Sequence, residues 1–128
     1  MNKEKKITKQ YLKKLAKRET NKKYKEWGIA VKERDGNSCI VCGAKKMLNA
    51  HHLIPREIVE FRFMVINGVS LCPMHHKFNR YFSAHRNPIA FLLWFKYNHT
   101  EQYSKLVTEW IKYWDKIKEL HNVNKEII

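Results

Sequence analysis

Three cysteines and two histidine doublets carry the chemistry of this 128-residue chain. Cys39 and Cys42 form a C-x2-C knuckle, and Cys72 and His75 form a C-x2-H knuckle, the two separated by 29 residues. Three cysteines do not make a disulfide framework. Zn²⁺ favours closed, tetrahedral, thiolate-rich sites when its role is structural. Both spacings fit such a site and every cysteine is used, so Cys39, Cys42, Cys72 and His75 are expected to hold a structural zinc ion. Three unrelated thiols beside a polar surface histidine are the competing reading.

The stretch NAHHLIPR, Asn49 to Arg56, sets His51 and His52 side by side ahead of a short apolar run and a proline. On a strand, successive side chains point to opposite faces, so two neighbouring imidazoles cannot serve one partner in the same way. The doublet suggests two jobs. Taken alone it also fits a surface polar pair or ligands of a structural zinc.

Set beside Asn67 and His76, the segments AHHLIP and INGVSLCPMHH resemble the HNH endonuclease motif, whose fold is the ββα-metal finger. The resemblance covers about Trp27 to Pro88 and includes the subset of that family with an embedded two-knuckle zinc site. His75 stands where that subset often has a fourth cysteine. The resemblance implies His51 as a ligand of a catalytic divalent ion, His52 as general base, Asn67 as the residue bracing the base, and His76 as a second metal ligand. The third ligand is less defined: Arg80 occupies the position one turn after His76, and His85 and Asn79 are the candidates nearby, with waters and a substrate oxygen as an alternative completion. His85 also fits a polar loop or phosphate-contacting residue.

Phosphodiester hydrolysis explains why such residues belong together. The attacking water must lose a proton near neutral pH, and imidazole has a suitable pKa. Negative charge gathers on the phosphorus oxygens and the leaving 3′-oxygen, where a bound cation acts as a Lewis acid. A ring nitrogen that ligates the metal cannot also take the proton, hence one histidine for each task. The implied activity is metal-dependent cleavage of DNA to 5′-phosphate and 3′-hydroxyl ends. Mg²⁺ or Mn²⁺ leads as the catalytic ion; Ni²⁺ or Zn²⁺ also suits an imidazole-rich shell. A zinc-stabilised nucleic-acid-binding module without turnover is the alternative, and an RNA-directed nuclease a weaker one.

The expected class is α+β: a small ββα-metal finger with two zinc knuckles, flanked by N- and C-terminal helices in a single domain. Residues 1–26 hold eleven Lys/Arg against three Glu and read as a basic helical extension, with Ile7, Tyr11, Leu12 and Leu15 at helical spacing. A second helix is expected from about Asn21 to Arg34, with Tyr24, Trp27 and Val31 on one side and Asp35-Gly36 as its stop. Residues 27–88 form the expected nuclease core. There LNAHHLIP reads as a strand, a turn at Asn67-Gly68 leads a second strand into Cys72, and Pro73 opens a helical PMHHKFNRYFSA. Residues 89–128 form a helical C-terminal extension. Asn87 caps a helix starting at Pro88, and Thr100 caps a longer one in which Tyr103, Leu106, Val107, Trp110, Trp114 and Ile117 repeat every three or four residues, a pattern that favours core over a nucleotide-stacking surface.

The totals agree with a polyanionic partner. Net charge is +14, and cation–phosphate attraction supplies most non-specific nucleic-acid affinity; an anionic membrane surface is the other partner that charge allows. Arg56, Lys77, Arg80 and Arg86 flank the motif and are candidate phosphate contacts, which position a backbone without reading bases. No run approaches the roughly 18 apolar residues a spanning helix needs, and the Lys-rich start lacks a signal peptide's apolar core. A cytoplasmic setting is expected, bacterial or phage-borne by resemblance, with no organic cofactor.

Overall fold

The computed structural model describes residues 8–121. Its elements in order are α1 (Lys9–Arg34), β1 (Asn49–His52), β2 (Gly68–Leu71), α2 (Pro88–Asn98) and α3 (Thr100–Ile117), an α+β arrangement around a two-stranded antiparallel sheet. Short helical turns at Val65–Asn67, Met74–Phe78 and Lys118–His121 complete it.

One helix of 26 residues stands where two were expected. Thr8 caps it, its hydroxyl accepting from Tyr11 N at 3.2 Å. Nothing between Ala16 and Asn21 breaks a helix, so the two periodic stretches fuse. Ile7 lies outside the described residues. Tyr11, Leu12 and Leu15 are 41–53% exposed, so among the described residues this stretch of α1 is a solvated face. The C-terminal half of α1 does dock. Trp27 and Val31 are buried, Trp27 Nε1 donates to Met64 O at 2.9 Å, and Arg34 donates to the carbonyls of Val65 (2.7 Å) and Gly68 (2.5 Å). Asp35 ends the helix, and its carboxylate accepts from Ser70 N at 2.8 Å.

Contact between α1 and the sheet is close enough to require glycine at position 68. A Cβ there would lie 2.5 Å from both Trp27 Cζ2 and Val31 Cγ2. In register, His52 pairs with Gly68 and His51 with Val69. Since alternate residues share a face, Gly68, Ser70 and His52 look toward α1. Val69, Leu71 and His51 look toward α2, where Val69 and Leu71 join Cys39, Cys72, Ala84, Phe91 and Phe95 in the main buried cluster.

The segment after Cys72 differs from the expected helix through Ala84. Only Met74–Phe78 is helical, as one wide π-type turn, with Pro73 just before it. Asn79 stops it: its backbone is extended, and its Oδ1 accepts from Tyr81 N (2.9 Å) and Phe82 N (3.1 Å), an Asx turn that competes with helix. Further on, Asn87 caps α2 as expected, accepting from Ala90 N at 3.3 Å with Pro88 in the first turn. α3 is capped by His99 rather than Thr100, and makes no side-chain cap bond there. Thr100 Oγ1 instead donates backwards to Lys96 O at 2.9 Å, because a one-residue joint leaves it facing the end of α2. Along α3, Leu106 is buried, Phe61 meets the rings of Trp110 and Tyr113, and Gln102 Nε2 donates to Ile66 O at 2.9 Å.

Candidate functional site

The first knuckle is built on backbone hydrogen bonds: Cys39 N donates to Ala44 O at 2.8 Å and Gly43 N to Cys39 O at 2.9 Å. Gly43 sits at φ +77, a left-handed turn glycine adopts without strain. Ile40 N donates to Ser70 O at 3.0 Å, fastening the knuckle to β2. The second knuckle leaves β2 directly. Cys72 O accepts from His76 N at 2.8 Å, which starts the turn that swings His75 back over the sulfurs.

Cys42 Sγ and Cys72 Sγ are 3.7 Å apart, and His75 Nδ1 lies 3.3 Å from Cys72 Sγ and 3.8 Å from Cys39 Sγ. Sulfurs about 2.3 Å from a tetrahedral Zn²⁺ stand roughly 3.8 Å apart. All four ligand atoms fall within 4.8 Å of one another, so the Cys3His group lies close enough to hold a metal ion. Burial pushes the Cys39 thiol up, yet the backbone hydrogen bonds of Cys72, Cys42 and Val41 outweigh it and lower its pKa overall. The neighbouring Cys42 thiol shifts the other way: the Ala44 backbone lowers it, but burial and the Cys72 and Cys39 sulfurs outweigh that and raise it.

On the α2 side of the sheet a second group assembles. His51, His76 and His85 place their ligand atoms within 4.8 Å of one another, with ring centroids 4.6–5.2 Å apart. His76 Nε2 and His85 Nε2 are 3.0 Å apart. Two nitrogens bound about 2.1 Å from one ion stand roughly 3.0–3.4 Å apart; a neutral N–H···N hydrogen bond also fits that distance. His85 is therefore with His51 and His76, and its backbone explains how. The chain returns after Asn79, so that Ala84 N donates to His75 O (2.8 Å) and His85 N to His76 O (3.0 Å). Burial lowers His51 to about 3 and His76 to about 4, helped by the neighbouring imidazoles. Both rings are neutral at physiological pH, with lone pairs available to a cation.

His52 faces away from this group. Its ring stacks on Trp27 with centroids 3.9 Å apart and planes 10° from parallel, and Tyr24 meets it edge-on at 5.9 Å. His52 Nε2 is 2.9 Å from Arg62 O; since a carbonyl only accepts, Nε2 carries the proton and Nδ1 keeps the lone pair. Burial lowers the His52 pKa, assisted by the Arg56 and Arg62 charges and opposed by the Arg62 carbonyl and Glu57. The ring is held, neutral, and basic at one nitrogen.

Asn67, fully buried, ties the β1–β2 connection together. Its Oδ1 accepts from Ile54 N at 2.6 Å, and its Nδ2 donates to Ile54 O (3.0 Å) and Phe61 O (3.1 Å). It touches the segment that carries the Arg62 carbonyl rather than His52 itself. Of the candidate phosphate contacts, Arg56, Lys77, Arg80 and Arg86 are all exposed. Arg80 lies over the Tyr81 ring and donates to its hydroxyl at 2.9 Å; Arg86 Nη1 donates to Phe78 O at 3.2 Å. Sequence reasoning missed the roles of Trp27 and Arg62. Trp27 was legible only as an apolar helix position, and a backbone carbonyl leaves no signal in residue type.

Comparison with protein families, with curated proteins and with solved structures finds no match to this chain.

Proposed function

We propose that the chain is a metal-dependent endonuclease of the HNH type that hydrolyses DNA phosphodiesters, with a structural zinc ion at Cys39, Cys42, Cys72 and His75. The observation that carries this is the divergence of the histidine doublet. His51 joins His76 and His85 in a three-imidazole group, while His52 is oriented by Arg62 O, which leaves the ring's lone pair on Nδ1. Closed thiolate sites suit structural zinc; an imidazole group with one exposed member suits an exchangeable ion.

In this reading His51, His76 and His85 would hold a divalent ion, Mg²⁺ or Mn²⁺ first and Ni²⁺ or Zn²⁺ as alternatives, which would act as a Lewis acid toward the negative charge that gathers on the reacting phosphate and the leaving oxygen. His52 Nδ1 takes the proton of the attacking water as its oxygen bonds to phosphorus. The bond from phosphorus to the 3′-oxygen breaks, leaving a 5′-phosphate, and the departing oxygen takes a proton from solvent to become the 3′-hydroxyl. Asn67 steadies the loop that presents Arg62 O, and thereby the base. Arg56, Lys77, Arg80 and Arg86 meet phosphates around the site.

A non-catalytic nucleic-acid-binding module is the second reading. The packing of His52 against Trp27 and Tyr24 favours it, because a purely structural histidine would look the same. Supercoiled plasmid incubated with a panel of divalent ions separates the two, comparing wild type with His52→Ala and with His52→Gln, which retains a donor toward Arg62 O. Removing a general base costs about 10²–10⁴ in rate, so both variants should lose nicking while keeping bound zinc. Cleavage at the wild-type rate by His52→Gln refutes the base assignment. No cleavage by wild type with any ion favours the binding module. Among the described residues no helix is long and apolar enough to cross a membrane; a cytoplasmic setting belongs to the proposal.

A further inference from the structure

α1 carries a feature that the proposed chemistry leaves unused. Lys14, Arg18, Asn21, Lys25, Gly28 and Lys32 follow one another at alternating spacings of four and three, which places them on one face of a helix. From Lys14 to Lys32 is eighteen residues, five turns at about 3.6 residues each, so the line runs straight along the axis. No acidic residue interrupts it. Glu19, Glu26 and Glu33 also share a face, seven residues apart, but a different one. Among the described residues, none of Lys14, Arg18, Lys25 and Lys32 is held in an ion pair.

At its C-terminal end this line enters a groove of about 510 Å³ between α1 and β1. Lys25, Gly28 and Lys32 line it from the helix, and Asn49, His52 and Arg56 from the strand side. The N-terminal half of α1 is exposed and has no acidic residue in its first turn. Like charges at Lys14 and Arg18 repel across one turn, and lysines near a helix N-terminus oppose its dipole. A helix so built gains from a neighbouring polyanion.

We propose that this face of α1 is a phosphate track for duplex DNA, leading one strand into the groove beside His52. The inference rests on the nuclease reading for its choice of polymer, and adds a binding surface that no member of either candidate metal group lines. Lys14, Arg18 and Lys25 meet successive phosphates, Lys32 and Arg56 meet those nearest the ring, and Gly28 leaves room for the backbone.

The test compares two triple variants with equal loss of charge. Lys14→Gln/Arg18→Gln/Lys25→Gln strips the track, whereas Lys9→Gln/Lys13→Gln/Lys23→Gln strips another face of the same helix. Binding of a fluorescent duplex is followed by anisotropy between 50 and 300 mM NaCl, with zinc-replete protein and no added Mg²⁺ or Mn²⁺. Each phosphate contact contributes about 0.9 to the slope of log K against log salt. The track variant should lose about 2–3 from that slope and the control less than about 1, with superposable thermal melts since these side chains are exposed. Equal losses in the two variants would overturn the track, as would an unchanged slope in the first. So would track-dependent binding to vesicles of 30% phosphatidylserine in phosphatidylcholine exceeding that to the duplex, or a preference for duplex RNA of the same sequence. A track effect in a protein that nicks plasmid with no ion defeats the nuclease reading alone. Plasmid nicking with no track effect defeats the track alone.

Discussion

Replacing Gly68 by alanine adds one methyl group at the place where the face of the sheet that carries His52 meets α1. That carbon would lie 2.5 Å from Trp27 Cζ2, 2.5 Å from Val31 Cγ2 and 3.2 Å from Trp27 Cε2, whereas carbons rest about 3.5–4.0 Å apart. Two contacts must each open by roughly 1 Å. Val31 has no exposed surface to move into, and Trp27 is held by Met64 O and by the His52 ring. The helix therefore has to lift from the strand as a unit, straining the bonds from Arg34 to Val65 O and Gly68 O. Overpacking of this kind costs about 2–3 kcal/mol, a fall in Tm of roughly 6–12 °C for a domain of this size. Gly28→Ala is the matched control. Its new methyl would meet Ala50 Cβ at 3.8 Å, an ordinary contact, and removing a glycine from a helix interior should stabilise by about 0.5–1 kcal/mol. Circular-dichroism melts of the zinc-replete proteins measure both. The same methyl group should thus act with opposite sign at the two sites. A Gly68→Ala variant melting within about 2 °C of wild type would refute the close packing of α1 on β2, and with it the support under His52.

Loss of a thiolate should act differently. Cys42→Ser is expected to release bound zinc, measured by elemental analysis, and to cost on the order of 3 kcal/mol or more; an unaltered melting curve would argue against the structural site. The pH dependence of cleavage follows from the lowered His52 pKa, with burial as its main cause. A base with a depressed pKa stays neutral to lower pH, so the acid limb of kcat/KM should lie below about 6.5, the usual value for histidine. The same shift means the unfolded chain binds more protons between the two pKa values. This contribution to stability is complete above the unfolded pKa and disappears as pH falls through the folded one. An acid limb centred above pH 7, measured in initial-rate plasmid assays, would exclude His52 as the titrating group.

What the sequence made legible was local, and what it hid depended on long-range contact. The knuckles declare themselves by C-x2-C and C-x2-H spacing because a tetrahedral ion needs four donors at short chain separation. The opposed directions of His51 and His52 follow from the two-residue period of a strand, and the start of α2 from Asn87-Pro88. That α1 runs unbroken follows from the lack of any helix breaker between Ala16 and Asn21, whereas the exposure of Tyr11, Leu12 and Leu15 is not legible, because apolar spacing looks the same whether or not a partner surface covers it. Helix after Phe78 was overextended because an Asx turn at Asn79 competes locally with helix, and composition alone does not say which wins. His85 was ambiguous for the same reason. Its place beside His76 is set by two backbone bonds from the returning strand of chain, and no residue type encodes those.

The two histidine doublets also show how a chain this small keeps two groups of potential metal ligands apart. On β1 the strand period sends His51 to the α2 side and His52 to the α1 side. On the π-type turn after Cys72 the division recurs in helical form. His75 turns to the sulfurs of Cys39 and Cys72, and His76 to His51 and His85. Adjacent residues on a helical turn point about 100° apart, so one short turn feeds both groups without either ring reaching the other's ligands. The cysteines, fastened to β2 through Ile40 N and Ser70 O, fix where that turn begins, and the turn fixes His76. Zinc at the thiolates would therefore do more than hold a small core together. It would set the position of one imidazole in the neighbouring group, which makes the chemistry proposed at that group conditional on the structural ion.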